Sequence, residues 1–338
     1  MYSTVYDCGS YLKPFVIEEI SSFFNQGDKV DILFISHFDN DHISGLNELK
    51  KVCTIKTVVM PLINSVQKMY MLSQGVDRLF ITNPESYFSG ARIVYVSPYG
   101  DIDDNGRNQT GVLYSNLPAK IESARHILMS VNTCWVYIPF NYDSISRQQY
   151  FTTLLKDIEE LNDLDFNDDT QVNDLIRNAD RKLIGKINKV FKCALTDGAN
   201  KISMILYSGP LSIPQSRPYY IIEGESHLTS SEVAALYMGD TDLHQNDIIP
   251  NLKSHLKERD VNIGLVQLPH HGSRKNFIKD LLGIGNSYSP RLYFASYGTS
   301  NRYGHPSYAV IQDVIVACHK FIPVTEKRDS VLIQTIIK

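Results

Sequence analysis

The sequence predicts an α/β fold on three observations. Short apolar runs of strand length recur along the chain, helix-patterned stretches separate several of them, and most runs stop abruptly at a polar motif. With 338 residues, 43% hydrophobic and 21% charged, the chain can bury a sizeable core. That balance excludes a disordered chain. No run of about 18 uncharged apolar residues occurs, so neither a membrane span nor a membrane partner is expected. The opening Met-Tyr-Ser-Thr-Val-Tyr-Asp has no basic region followed by an apolar one, so no signal peptide is expected.

The elements follow in order. Pro14–Asn25 places Phe15, Ile17, Ile20, Phe23 and Phe24 at the spacing of an amphipathic helix. Asp31–Ser36 reads as a strand that runs straight into His37. Thr57–Pro61, Arg78–Thr82 and Ala91–Ser97 read as further strands. From about Ile145 to Ala194 the strand signals vanish. There Thr170 is the expected cap of a helix with apolar positions Val172, Leu175, Ile176, Ala179, Leu183, Ile187, Val190 and Phe191. This near-heptad seam predicts a helical hairpin or a helix facing a partner, either another protein or a second copy. The acidic stretch Lys156–Asp169 before it reads as a solvated helix face and loop. Strand signals return at Ile202–Tyr207, Ala234–Met238, Asn262–Leu268 and Arg291–Ser296. The simplest organisation is a single domain over 1–338 with a mainly helical subdomain inserted at 120–195.

Cys8, Cys53, Cys134, Cys193 and Cys318 are odd in number, far apart and without a CxxC pair. A disulfide framework or a cysteine-rich zinc site is not expected. Buried free thiols in a reducing, cytoplasmic compartment are the plain reading.

The densest chemical signal is His37-Phe38-Asp39-Asn40-Asp41-His42, four potential metal ligands in six residues directly after an apolar strand. Imidazole and carboxylate suit a divalent cation, and a strand end holds such a loop firmly. Positions 37, 39 and 41 can share one side of an extended loop, with His42 starting the next helix. The plain alternative is a polar turn in which Asp41 caps a helix beginning near Ile43. Three more strand ends carry potential ligands. Asp240 follows Leu236-Tyr237-Met238-Gly239, His270 and His271 follow Leu268-Pro269, and His305 lies in Tyr303-Gly304-His305-Pro306-Ser307. No one of these decides the matter; the set points to a two-metal site.

Taken in order, HFDNDHISGL, Asn200 and Ser203, LYMGD, LPHHGS and NRYGHPS resemble metallo-β-lactamase-fold hydrolases. The resemblance is strongest to the hydrolase domain of the competence DNA-uptake (ComEC) type, over residues 1 to about 110 and 200 to 320. It implies a four-layer αββα sandwich with two divalent ions, zinc or manganese, with iron or magnesium as further candidates. His37 and Asp39 are implied ligands of one ion, and Asp41 and His42 of the other, with Asp240 bridging them. His305 is the implied last ligand, while His270 and His271 can exchange roles. Asp7 in Val5-Tyr6-Asp7-Cys8-Gly9-Ser10 is the implied supporting carboxylate. Three departures stand out. Asp39 replaces a common histidine and favours harder, oxygen-preferring metals. Asn200 stands where many relatives have a histidine ligand. Little sequence precedes Val5, so the usual opening hairpin is short and leaves a sheet edge to cover.

The implied reaction is hydrolysis by a metal-activated water, with Asp41 positioning the nucleophile and His271 or Ser273 facing the non-bridging oxygens or leaving group. The resemblance, through HHGS and YGHPS, implies a phosphodiester, so nucleic acid or a nucleotide is the expected substrate. Arg274, Lys275 and Arg302 are candidate substrate contacts beside Asn200 and Ser203. The rivals are a lactamase- or lactonase-like hydrolase of small molecules and a non-catalytic assembly subunit. The net charge of −4 excludes a broadly basic coat but not a local phosphate site.

Overall fold

The run Ile32–Phe34 is wholly apolar and wholly buried, as a strand covered on both faces must be. The computed structural model describes residues 2–99, 111–130, 133–142, 145–195, 203–211, 217–222, 225–228, 232–245, 248–285, 290–327, 330 and 332–337. The chain divides into two compact units. The first comprises Met1–Pro98, Pro118–Ile121 and Asp143–Lys201; the second comprises Tyr99–Leu117, Glu122–Tyr142 and Ile202–Lys338.

The first unit opens with β1 (Thr4–Tyr6), α1 (Lys13–Phe23), β2 (Asp28–Val30) and β3 (Ile32–Phe34). It continues through α2 (Asn40–Ile43), α3 (Leu46–Val52), β4 (Cys53–Ile55), β5 (Thr57–Pro61), α4 (Ser65–Ser73), α5 (Arg78–Thr82), α6 (Pro84–Tyr87) and β6 (Arg92–Val96). The chain then contributes β7 (Val112–Leu113) to the second unit before β8 (Lys120–Ile121) completes the first sheet. That sheet is parallel throughout, in the order β1-β3-β5-β6-β8. The three-residue strand β1 stands at one edge of this sheet.

The second unit resumes with β9 (Ile127–Ser130) and β10 (Thr133–Asn141), and the chain returns to the first unit for α7 (Ile145–Lys156), α8 (Asp169–Asn178) and α9 (Arg181–Leu195). The rest lies in the second unit: β11 (Met204–Pro210), β12 (Arg217–Ile222), β13 (Glu225–Leu228), β14 (Ala234–Tyr237), α10 (Ile248–Leu256), β15 (Ile263–Gln267), β16 (Leu292–Ser296), α11 (Tyr308–Val316), β17 (Lys320–Val324) and β18 (Leu332–Ile337). Its main sheet runs β17-β16-β15-β14-β11-β10-β9-β7, parallel from β17 to β14 and antiparallel from β14 to β9. Strands β13, β12 and β18 form a smaller antiparallel sheet. Each unit is an α/β assembly with its own buried apolar cluster, so the fold class is α/β.

Three sequence expectations need correction. Arg78–Thr82 is a helix, not a strand: Asp77 accepts the Leu79 N–H, and Asn83 caps the following α6 by accepting the Ser86 N–H. The predicted helix over 170–191 is two helices. The first is capped by Asp168 rather than Thr170, and the second begins where Asp180 accepts the Leu183 N–H. Val172, Ile176, Ala179, Leu183, Ile187 and Phe191 of that seam are buried in the first unit's own core. Within 120–195, strands β8 to β10 come before the helices, which start at Ile145.

The third correction concerns the thiols. Cys53 is buried as expected, Cys8 is half-buried with its thiol pushed up to about 12 by desolvation, and Cys193 and Cys318 are exposed. No described helix is long and apolar enough to cross a membrane.

The acidic stretch is spent on local structure. Asp168 caps α8, Asp169 pairs with Lys68 at 2.9 Å, and Glu160 pairs with Lys186. Burial of the seam carries a clear consequence. Ile187→Ala should destabilise the protein by about 2–5 kcal/mol, seen as a lower urea midpoint. In the same helix Gly185→Ala meets open space and should raise stability by about 0.5–1 kcal/mol.

Candidate functional site

The first unit brings its ligand-type residues together through one carboxylate. Asp7 follows β1 with a left-handed φ of 56°, a turn that carries its side chain toward the end of β3. Its Oδ1 accepts the Ser36 N–H at 2.7 Å, and its Oδ2 accepts the Ser36 hydroxyl at 2.6 Å. The same Oδ2 lies 2.8 Å from His42 Nδ1, while Ser36 Oγ lies 2.8 Å from His37 Nδ1. Both imidazoles are thus gripped at Nδ1, which sets ring orientation and leaves Nε2 on the side of Asp39 and Asp41. The rings stand 4.0 Å apart and both are buried.

The loop makes this possible through a close backbone approach. Cys8 donates to the His42 carbonyl at 2.8 Å, and Gly45 donates to the Cys8 carbonyl at 2.9 Å. A Cβ on Gly9 would sit 2.5 Å from the His42 carbonyl carbon, so only glycine lets this loop lie against α2.

The ligand-rich run itself is only partly extended. Asp39 is the N-cap of α2, and Asp41 and His42 lie within that short helix. The alternation expected over 37, 39 and 41 therefore ends at Asp39, and Asp41 is not the cap. His37 Nε2 is 3.7 Å from Asp39 Oδ2, and His42 Nε2 is 3.8 Å from Asp41 Oδ2. Two donors each about 2.1 Å from one ion stand about 3 to 3.4 Å apart at octahedral or tetrahedral angles. Each His–Asp pair is thus within a small adjustment of that spacing, and the donor set fits a divalent cation. A carboxylate oxygen of Asp7 and ring nitrogens of His37 and His42 also fall within 4.8 Å of one another. Asp7 is nonetheless the anchor, because both of its oxygens already accept hydrogen bonds.

The second unit assembles its own set. Asp240 is buried at the end of β14, after Gly239 with φ 51°. The Gln267 side chain accepts both the Met238 and Gly239 N–H groups, and the Ser203 hydroxyl accepts the Asp240 N–H at 2.8 Å. Ser203, expected as a substrate contact, is fully buried and holds the backbone of Asp240.

His270 and His271 follow β15 in left-handed conformation, with φ 45° and 55°, and Gly272 continues the turn at 82°. Such backbone costs about 1–2 kcal/mol per non-glycine residue, so the surrounding contacts must hold it in place. Those contacts are present. His270 Nδ1 lies 3.0 Å from Asn276 Oδ1, Asn276 Nδ2 donates to the Asp240 carbonyl, and His271 Nδ1 lies 2.6 Å from the Ser296 carbonyl. The outward Nε2 atoms of His270 and His271 stand 3.3 and 3.9 Å from the two oxygens of Asp240.

His305 is half-buried, with its ring centre 5.3 Å from that of His270 and 6.2 Å from that of Tyr303. The Asn301 side chain fixes it by accepting its N–H and donating to its carbonyl. Ser273 is buried, with its N–H donating to the His270 carbonyl. Arg274 is tied to Asp313 at 2.9 Å, and Lys279 holds the other oxygen of that carboxylate. The two cations, Lys279 foremost, keep Asp313 below the usual carboxylate range. Lys275 and Arg302 are exposed. Asn200 lies outside the described residues.

Sequence reading missed Ser36, Tyr70, Gln267, Asn276 and Asn301 as structural partners of the site. Ser36 had a signal in its contact with the ligand run. Tyr70 had none: its hydroxyl donates to Asp39 Oδ1 at 2.8 Å from 31 residues away.

Residues 2–118 match the family model of the Metallo-beta-lactamase superfamily, a span that contains Asp7 and the whole 37–42 run. The donor set of the second unit lies beyond that span. No curated protein matches the chain.

Gly9→Ala should be disruptive out of proportion to one methyl group. A loss of about 1–3 kcal/mol in stability is expected, together with weaker zinc binding in a chelator competition, since the loop carrying Asp7 must move.

Proposed function

We propose that this chain is a metal-dependent hydrolase acting on phosphodiesters, with a nucleotide or nucleic acid as substrate. The match of residues 2–118 supports the metal-dependent hydrolase class. The observation that carries the reading is the Asp7–Ser36 clamp, which holds His37 and His42 by Nδ1 and leaves their Nε2 atoms beside the Asp39 and Asp41 carboxylates. A polar turn with no metal duty has no need of two imidazoles buried and oriented in this way.

His37 with Asp39 and His42 with Asp41 are the pairs that would hold ions in the first unit, and Asp240 with His270 or His271 in the second. Divalent ions held there supply Lewis acidity, lowering the pKa of water toward neutrality and offsetting phosphate charge. Asp41, at the first turn of α2, is placed to accept the proton of an attacking water. His271 is tied to the Ser296 carbonyl through Nδ1, so its Nε2 is the atom that can donate to a non-bridging oxygen or leaving group.

The phosphodiester assignment rests on the surface near His305. Tyr303 and Tyr308 are 73% and 79% exposed, and Arg302 and Lys275 are exposed as well. Aromatic faces and unburied cations are what a nucleotide needs, and a lactam or lactone does not. Arg274 contributes less, because Asp313 already compensates it.

A metal-by-substrate matrix tests the reading. Purified protein with zinc, manganese, iron or magnesium should cleave bis-p-nitrophenyl phosphate and leave nitrocefin and simple lactones intact. Asp41→Ala with His42→Ala should lower that cleavage by at least about a hundredfold. Turnover of nitrocefin or a lactone alone would replace the phosphodiester with a small-molecule substrate. A protein that binds no metal and purifies as an oligomer would be an assembly subunit instead.

A further inference from the structure

The Asp39 carboxylate raises a question that the proposed metal site leaves open. An imidazole offers an ion one atom, whereas a free carboxylate can offer two and change the coordination number. Something must decide which mode Asp39 adopts. Tyr70, on α4, donates its hydroxyl to Asp39 Oδ1 at 2.8 Å. The other oxygen, Oδ2, is the one 3.7 Å from His37 Nε2. One oxygen is therefore committed to a phenol and the other faces the neighbouring imidazole.

We propose that Tyr70 is a positioning residue that restricts Asp39 to one metal-facing oxygen, and that helices α8 and α9 hold Tyr70 in place. The inference rests on the metal-dependent reading of this site.

The support for Tyr70 is extensive and comes from the helical segment. Its ring meets Phe191 of α9 edge-on at 5.2 Å, and Phe191 in turn packs on Phe151 of α7 at 5.0 Å. The Asn188 side chain of α9 donates to the Ser73 carbonyl at the end of α4. At the start of α4, Ser65 donates to the Phe166 carbonyl, and Lys68, buried in the core, reaches Asp169 and Asn173 of α8. The Asn40 side chain, in the ligand run itself, donates to the Gln74 carbonyl just past α4. Helix α4 is thus pinned along its length to α8 and α9 on one hand and to the ligand loop on the other.

A double-mutant cycle on metal affinity tests this. Zinc dissociation constants are measured by chelator competition for wild type, Tyr70→Phe, Asp39→His and the double variant, all as the full chain. Tyr70→Phe removes only the hydroxyl and should weaken zinc binding by about tenfold to a hundredfold, with the metal-free melting temperature little changed. Asp39→His offers a single donor by nature, so in that background Tyr70→Phe should cost less than about twofold. Cobalt gives an independent readout. Its visible absorption should weaken in Tyr70→Phe as Asp39 turns bidentate and the coordination number rises.

Phe191→Leu should shift affinity in the same direction by a smaller factor. Equal zinc affinity of Tyr70→Phe and wild type, or an equal loss in the Asp39→His background, overturns the proposal while leaving the metal site standing. A wild-type protein that binds none of zinc, cobalt or manganese overturns the metal reading and this inference together.

Discussion

The hydrogen-bonded set of Asp7, Ser36, His37 and His42 is the constraint on which the candidate site of the first unit depends. Asp7 comes from the loop after β1, Ser36 and His37 from the segment after β3, and His42 from α2. One carboxylate therefore fixes three segments and two ring orientations. The arrangement works only because Gly9 lets the loop lie against the backbone of α2 and because Asp7 accepts a left-handed φ. Neither feature adds stability by itself. Both are tolerated because the network they permit satisfies polar groups that would otherwise be costly to bury.

Much of the fold could be read from the sequence for a simple reason. Strands buried on both faces are continuous apolar runs, and β3, β5, β14, β15 and β16 each fall within a run that pattern alone identifies. Arg78–Thr82 failed because a five-residue run with three apolar residues, Leu79, Phe80 and Ile81, carries no readable period, and the deciding signals were the caps Asp77 and Asn83 on either side. The break between α8 and α9 was hidden for a different reason. Ala179 and Leu183 are buried in the same core as Val172 and Ile187, so the apolar spacing continues unbroken while the backbone does not. Periodicity reports which face is buried; it does not report whether one helix or two presents that face.

The site was legible where its donors are contiguous and illegible where they are held by distant residues. His37, Asp39, Asp41 and His42 lie in six residues, and Asp240, His270 and His271 each follow a recognisable strand. Their partners follow no such rule. Ser203 read as a candidate substrate contact, yet it is buried and holds the Asp240 N–H. Arg274 read as a candidate phosphate contact, yet it is paired with Asp313 on α11. In both cases the structure shows a partner that residue type alone did not suggest. A serine or arginine close in sequence to a ligand has several possible duties, and tertiary context chooses among them.

Left-handed backbone recurs at the ligand-bearing strand ends of both units: Asp7 after β1, Gly239 after β14, His270, His271 and Gly272 after β15, and Gly304 beside His305. The second unit also repeats the first unit's way of holding imidazoles, with Nδ1 of His270 and His271 gripped by Asn276 and the Ser296 carbonyl. Each turn re-aims a side chain away from the direction in which the strand would carry it, at a conformational cost that glycine avoids and histidine does not. A fold selected for stability alone would place glycine at 270 and 271. That histidines occupy consecutive left-handed positions, each anchored through Nδ1, means that the orientation of their outward nitrogens is worth more to this protein than the strain it carries there. Within the first unit, Asp168 caps α8 while Asp169 and Glu160 pair with Lys68 and Lys186. Lys68 lies on α4, the helix whose Tyr70 donates to Asp39, so the helical segment belongs to the physics of that unit's donor set as much as to the packing of its core.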